Sequence, residues 1–250
     1  MPNGKQDDAS DKQTRRKLPP IVIRGTRRTD LKALDELQSA AYPRLSQEIR
    51  WKDRHWLSHI EHFAGGQFVA EVDGKVIGCC GNLLVPFEKA TGQHTWKEIT
   101  DKGTIASTHD PQGDTLYGFE IMVHPDHRRR GVGRKLYEAR FDYARDHGLR
   151  AFCAMGRIPG YRKREDEFDP DEYVQKVVDG AITDRTLTAQ MRSGLRVVGT
   201  VLNYLHDPNS GDAAAILIWD NPDLDHQRSE SDVYHRARDS DLDLVVNARA

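Results

Sequence analysis

Between Leu116 and Tyr137 an apolar, branched and aromatic run breaks at a proline. It passes through three consecutive arginines and two glycines, then resumes as an amphipathic pattern. Leu116 to Val123 has the composition of a strand. Pro125 ends it, because proline lacks the N–H that a ladder needs and restricts the residue before it. Arg128 to Gly133 is then a tight turn. A helix is predicted from about Gly133 to His147, where Leu136, Tyr137, Arg140, Phe141 and Ala144 share a face and Gly148 supplies the stop.

The turn has chemistry of its own. Glycine at 131 and 133 lets main chain come close to a ligand. The N–H groups of a helix's first turn have no partners inside the helix, and the helix dipole is positive there. Such a bend suits a diphosphate. Arg128, Arg129, Arg130 and Arg134 add cations around it. Two glycines alone would be satisfied by an ordinary turn with a solvated basic edge. The whole constellation is more specific: Glu120 on the strand, Val123-His124-Pro125, then Arg128-x-x-Gly131-Val132-Gly133 opening an amphipathic helix. It resembles the acetyl-CoA-binding motif of the GNAT superfamily of N-acetyltransferases. The resemblance implies that backbone amides from Arg128 to Gly133, with Arg134 beside them, hold the pyrophosphate of acetyl-CoA. It also implies that Ile121, Met122 and Val123 pair with the pantetheine arm.

Around this centre the chain has room for one large domain with tails, since it is 250 residues long. A net charge of -2 argues against broad nucleic-acid binding, which needs a wide basic footprint. No run is long and apolar enough for a membrane span, and the N-terminus lacks the apolar core of a signal peptide, so the expected location is cytoplasmic. Cys79 and Cys80 are adjacent in a strand pattern and point to opposite faces, and with Cys153 they form no Cys-x-x-Cys; buried free thiols are expected. No metal is expected either. His55, His59 and His62 recur at helical spacing, but no carboxylate or cysteine stands at ligand spacing. They are read as a polar flank beside the Trp56, Ile60 and Phe63 stripe, with a contact to the acceptor as the second option.

Residues 1–18 are expected to be a disordered tail, 19–221 the domain, and 222–250 a charged tail. Within the domain, a short strand at Ile21–Arg24 precedes a helix, Leu31 to Ala41, capped by Thr29-Asp30. A second helix covers Trp51 to Phe63. Gln67–Val72 and Lys75–Leu84 form a hairpin on Asp73-Gly74. Residues 87–114 are a polar, irregular excursion. After the central helix come a strand at Arg150–Met155 and an inserted segment, 156–185. Asp169-Pro170 opens a helix there, with Tyr173, Val177 and Val178 as its apolar side. A helix at Thr186–Arg192 and strands at Leu195–Leu202 and Ala213–Trp219 complete the order β-α-α-β-β-β-α-β-(insert)-α-β-β. That α/β (α+β) order resembles the GNAT acyl-CoA N-acyltransferase fold, a mixed, mostly antiparallel sheet flanked by helices. The inserted segment and Gly156-Arg-Ile-Pro-Gly-Tyr161 resemble a GNAT subgroup also found joined to carbon–nitrogen hydrolase domains.

Acyl transfer to an amine needs a deprotonated amine, a polarised thioester carbonyl and a leaving thiolate that is stabilised or protonated. Glu120 is the candidate base, by resemblance and because a carboxylate on a mostly apolar strand needs a reason; a structural or substrate-binding carboxylate explains it equally. His124 is a second candidate base or an orienter of the loop. The resemblance gives the N–H of Met122 or Val123 the role of polarising the carbonyl. It would place an acidic Tyr shortly before Gly194, where this chain has Gln190. The thiolate therefore leaves unassisted or another group serves, with Tyr161 and Tyr204 as candidates. The implied function is transfer of an acetyl group from acetyl-CoA, as co-substrate, to an amine-bearing small molecule, protein or peptide by direct attack in a ternary complex. A homodimer is left open. The alternative is a non-catalytic GNAT-fold module that binds acyl-CoA or a partner. A dinucleotide-binding turn would need a third glycine where Leu136 stands, and a P-loop would need Gly-Lys-Ser/Thr.

Overall fold

A computed structural model describes residues 19–43 and 50–224. The tail expected over 1–18, and all but the first three residues of the one expected over 222–250, lie outside the described residues.

Among the described residues, seven strands form one sheet: β1 (Val22–Gly25), β2 (Phe68–Val72), β3 (Lys75–Val85), β4 (Thr115–Val123), β5 (Ala151–Arg157), β6 (Arg196–Val201) and β7 (Ala214–Asp220). They lie in the order β1-β2-β3-β4-β5-β7-β6. Only β4 and β5 run parallel. A parallel pair needs a crossover, and α5 (Val132–Asp146) provides it. On the way lie α1 (Leu31–Ala41), α2 (Asp53–Phe63), α3 (Phe87–Thr91) and α4 (Trp96–Ile99), and afterwards α6 (Pro170–Val178) and α7 (Leu187–Met191). The mixed α/β architecture expected from the sequence is the one found.

Local chemistry accounts for most boundaries. The β2–β3 hairpin closes with Val72 opposite Lys75, leaving Asp73 (φ 49°) and Gly74 (φ 76°) as a two-residue turn with both φ angles positive. Asp169 caps α6 by accepting from Glu172 N–H, with Pro170 at the first position. The predicted stripe of α5 is buried throughout, Arg140 included. Cys79 and Cys80 do point to opposite faces. Cys80 packs with Val132 and Leu136 of α5, whereas Cys79 belongs to the main core with Leu34 of α1.

Four expectations need correcting. Asp30 does not cap α1: its carboxylate turns back to the Arg27 N–H and the Arg24 guanidinium, closing a 3-10 turn at Arg28–Asp30. The excursion at 87–114 is not irregular. It holds α3 and α4 and buries Phe87, Ala90, Ile99 and Ile105. On α6 the apolar side is Tyr173, Val174 and Val177, while Val178 is exposed, since the helical period favours the residue next to Tyr173 over the last one. Of the three histidines on α2 only His62 is exposed; His59 is buried against Trp51, Trp56 and Phe119 and contacts the Gly103 carbonyl at 2.7 Å.

The sheet is interrupted at its centre. The β3–β4 register pairs Asn82 with Gly118 and Gly81 with Glu120, so Phe119 is an extra residue on β4. A bulge of this kind bends and twists its strand. The β4–β5 ladder stops at the same level, at Gly118↔Ala154. Both strands continue beyond it, each held by its outer neighbour alone.

Candidate functional site

The bulge frees backbone groups that must find partners elsewhere. Donors come from both faces. Trp96 of α4 donates its indole N–H to the Phe119 carbonyl at 3.3 Å. From α5, Arg140 donates one terminal nitrogen to the carbonyls of Glu120 and Gly81. The Arg140 guanidinium is buried, lies over the rings of Tyr137 and Phe152, and makes no ion pair among the described residues. Gly118 gives it room, since a Cβ there would stand 2.7 Å from Phe152 and 3.1 Å from the Arg140 guanidinium carbon.

Past the bulge, β4 presents one edge to β3 and the other to the gap. His124 N–H bonds to Ile77 O on β3. Antiparallel alternation then directs Met122 N–H to β3 as well, and turns the N–H groups of Ile121 and Val123 toward the gap. Of the two backbone groups considered for polarising a carbonyl, Val123 is therefore the one on the open edge. Ile121 N–H is taken by the Glu120 carboxylate at 2.9 Å.

Glu120 is half-buried, and Tyr42, just past α1, donates to its Oε1 at 3.0 Å. Burial raises the Glu120 pKa above the usual carboxylate range. The Tyr42 and Ile121 hydrogen bonds and the charges of Arg140 and Arg157 pull the other way, without overcoming it. The phenol of Tyr42 is itself pushed well up by burial and by the neighbouring Glu120.

At the end of β4 the chain makes a 3-10 turn, Pro125–His127, capped by His124 Nδ1, which accepts from Asp126 N–H at 3.3 Å. His124 thus orients the loop. Arg129 (φ 60°) and Gly131 (φ 83°) adopt left-handed backbone, and α5 begins at Val132 with no side chain capping it. A Cβ at Gly131 or Gly133 would meet nothing within 4 Å, so open space lies over the first turn. The arginines divide. Arg128 ties the loop to Val123 O and to Ala41 O at the end of α1. Arg130 reaches His127, and Arg134 pairs with Glu138 on the exposed face of α5. Arg129 is exposed.

On the other side of the gap, Gln190 of α7 lies against Gly156 of β5 and donates to the Tyr137 oxygen at 3.0 Å, while its own Oε1 is buried without a partner. That leaves the Tyr137 O–H proton free to donate. Tyr161 packs on Tyr173. Tyr204 joins a buried chain, Tyr204–Tyr117–His94, with contacts of 3.0 and 2.9 Å. Among the described residues no group of three or more His, Cys, Asp or Glu could hold a metal, and no helix is long and apolar enough to cross a membrane.

Sequence reasoning missed Tyr42, Tyr137 as more than core, and Arg157. Of these only Tyr137 carried a signal, its place on the helix that opens the motif.

Residues 31–162 match a model described as the Acetyltransferase (GNAT) family. The chain belongs to that family. Its relatives include the uncharacterized N-acetyltransferase YkwB of Bacillus subtilis, 34% identical over 207 residues, covering 82% of this chain and 91% of that protein. The probable hydrolase YhcX of the same organism is 39% identical over 211 residues, which is 84% of this GNAT chain. The chain spans 40% of that relative's length, which fits the resemblance to GNAT domains joined to hydrolases. Among solved structures, the loading GNATL domain of CurA from Lyngbya majuscula superposes with a TM-score of 0.70 at 16% identity, covering 82% of this chain and all of that domain. At such identity the likeness is one of fold.

Proposed function

We propose that this GNAT chain transfers an acetyl group from acetyl-CoA to an amine acceptor by direct attack in a ternary complex. One observation carries the proposal. A carboxylate whose pKa is raised stands at a bulge, and the strand edge that opens there leads along β4 to an uncapped helix N-terminus with open space above it.

The residues divide the work as follows. Backbone amides at the start of α5, with Arg129 and Arg130, hold the diphosphate. The β4 edge at Ile121 to Val123 pairs with the pantetheine arm. Glu120 takes a proton from the acceptor's ammonium, and the amine lone pair attacks the thioester carbon. Val123 N–H stabilises the oxyanion; as part of a fixed strand it needs little reorganisation. As the C–S bond breaks, the thiolate takes the Tyr137 proton, so a phenol from α5 serves where Gln190 has none, and the nitrogen's second proton passes to the phenolate and restores it.

Thermal shift with acetyl-CoA tests binding. Thiol release over a panel of proteins, peptides and small amines tests turnover. A rise in Tm together with amine-dependent thiol release is expected. A rise in Tm without release from any amine would favour the non-catalytic module instead. Tyr137→Phe should lower kcat while leaving the KM for acetyl-CoA in place.

A further inference from the structure

The mechanism leaves one charged side chain at the gap unused. Arg157 is the last residue of β5. Strand alternation fixes its face. Phe152 packs on Tyr137 and Phe141 of α5, so Cys153, Met155 and Arg157 look to the other side, where Cys153 Sγ–H reaches Ala90 O of α3. Tyr42 and Glu120 occupy that side too, and the Arg157 charge acts on both.

Arg157 is anchored side-on. Its Nε donates to Asp207 Oδ2 at 2.7 Å. Asp207 is 7% exposed and is fixed in turn by the Ser210 hydroxyl and by Asn209 N–H, in the loop between β6 and β7. Neither terminal nitrogen of Arg157 makes a hydrogen bond among the described residues, and its side chain is 42% exposed. An arginine that served only to neutralise Asp207 would turn its two-pronged end on that carboxylate. Here the side-on nitrogen does so and the fork is left over.

We propose that Arg157 receives a carboxylate carried by the acceptor, so that the acceptor is a zwitterion whose amine meets Glu120 while its carboxylate meets the guanidinium fork. This rests on the amine-acetylation reading above and narrows its substrate class to amino acids and amino-acid-like compounds. The charge balance favours it. A ligand carboxylate entering beside Glu120 and Asp207 would be repelled unless a cation faced it, and Arg157 is placed to do so, its charge acting on Glu120 and Tyr42. A plain amine offers the fork no acceptor, whereas a carboxylate can take both of its N–H prongs.

The test uses the full chain with acetyl-CoA and matched acceptors: L-amino acids and ω-amino acids against their amides, each assayed at a pH fixed relative to its amine pKa. Wild type should prefer the carboxylate form by about 10- to 100-fold in kcat/KM. Arg157→Gln should abolish that preference through KM for the acceptor, leaving KM for acetyl-CoA in place. Arg157→Lys, which keeps a cation for Asp207, should recover part of the preference and confirms that the fold is retained. Equal use of both forms by wild type, or an unchanged preference in Arg157→Gln, would overturn the proposal. So would succinyl-CoA gaining from Arg157 while the acceptor does not, since the carboxylate would then lie on the acyl group. Should no amine be acetylated at all, the transfer reading fails by itself. Thermal shift with the same amino acids in the presence of acetyl-CoA then decides: stabilisation by the carboxylate forms that Arg157→Gln removes upholds the anion site, and its absence ends it.

Discussion

The two sides of the gap are built differently. The proposed coenzyme side is one continuous stretch: strand edge, 3-10 turn, left-handed bend and helix start follow one another from Glu120 to Arg134. The proposed acceptor side is assembled from Tyr42 after α1, Glu120 at the bulge, Arg157 at the end of β5 and Asp207 between β6 and β7. The first is held by backbone geometry, which any sequence with the right glycines can adopt. The second is held by side-chain hydrogen bonds between segments far apart in the chain. Backbone recognition suits a co-substrate with an invariant diphosphate, whereas side-chain recognition can change one residue at a time as acceptors change. Only Glu120 and the bulge beneath it belong to both.

That shared point is where the contrast breaks most sharply. Glu120→Gln keeps an acceptor for the Tyr42 hydroxyl and for Ile121 N–H but removes the proposed base. It should lower kcat by about 100- to 10,000-fold, while acetyl-CoA still raises Tm. A smaller effect would make Glu120 a structural carboxylate. A second change isolates the coenzyme side. Gly133→Val places its Cβ in open space, with no neighbour within 4 Å, so folding should be retained, which a denaturation curve checks. It should raise the KM for acetyl-CoA by about 30- to 100-fold, through lost amide contacts to the diphosphate. Unimpaired binding would remove the turn from the site. Gly131→Val adds backbone strain as well, because φ there is 83°, and is the less clean variant.

Tyr42→Phe sharpens the acceptor side. The Tyr42 hydrogen bond lowers the Glu120 pKa, which burial has already raised. Removing it should push that pKa further up. The acid limb of the kcat/KM profile reports the free base, so it should move to higher pH, with a loss of roughly three- to tenfold at low pH. A limb that stays in place would mean that another group accepts the proton.

Legibility followed the same division. The strand, turn and helix start of the proposed coenzyme side could be read because their signals are consecutive: Glu120, the proline, the arginines and the glycines need no partner from elsewhere to declare themselves. The hairpin at Asp73-Gly74, the cap at Asp169 and the α5 stripe were legible for the same reason. Misreadings arose where a distant segment decides. His59 looks like a polar flank until the excursion places Gly103 O over it. Arg157 falls in the segment expected to be an insertion, although β7 extends β5 to include it by pairing Ala214 with Arg157. Asp30 has the look of a cap, but the nearby Arg24 claims its carboxylate. The bulge left no trace, because nothing in Leu-Tyr-Gly-Phe-Glu shows that Phe119 will be skipped by its partner strand.

His59 gives the smallest expected effect on chemistry and tests the scaffold behind the acceptor side alone. It stands among Trp51, Trp56 and Phe119, directly behind the bulge, and its Nε2–H donates to Gly103 O. Burial holds its pKa down at about 3, although the carbonyl contact pulls upward. Unfolded chain takes up this proton near pH 6.5. Between pH 6.5 and about 3 the unfolded state therefore binds one proton more than the folded state does, and stability falls as pH falls, by up to about 1.4 kcal/mol per pH unit from this group. His59→Gln retains an N–H donor for Gly103 O and does not titrate. Chemical denaturation from pH 7 to 4 should show a shallower loss of stability in the variant than in wild type, the difference approaching one proton, while the Tm gain from acetyl-CoA at pH 7 is the same in both. Parallel stability curves would mean that water reaches the ring and that the excursion is not sealed over α2. A changed acetyl-CoA response would mean that the two sides of the gap are coupled through the bulge, not separately built.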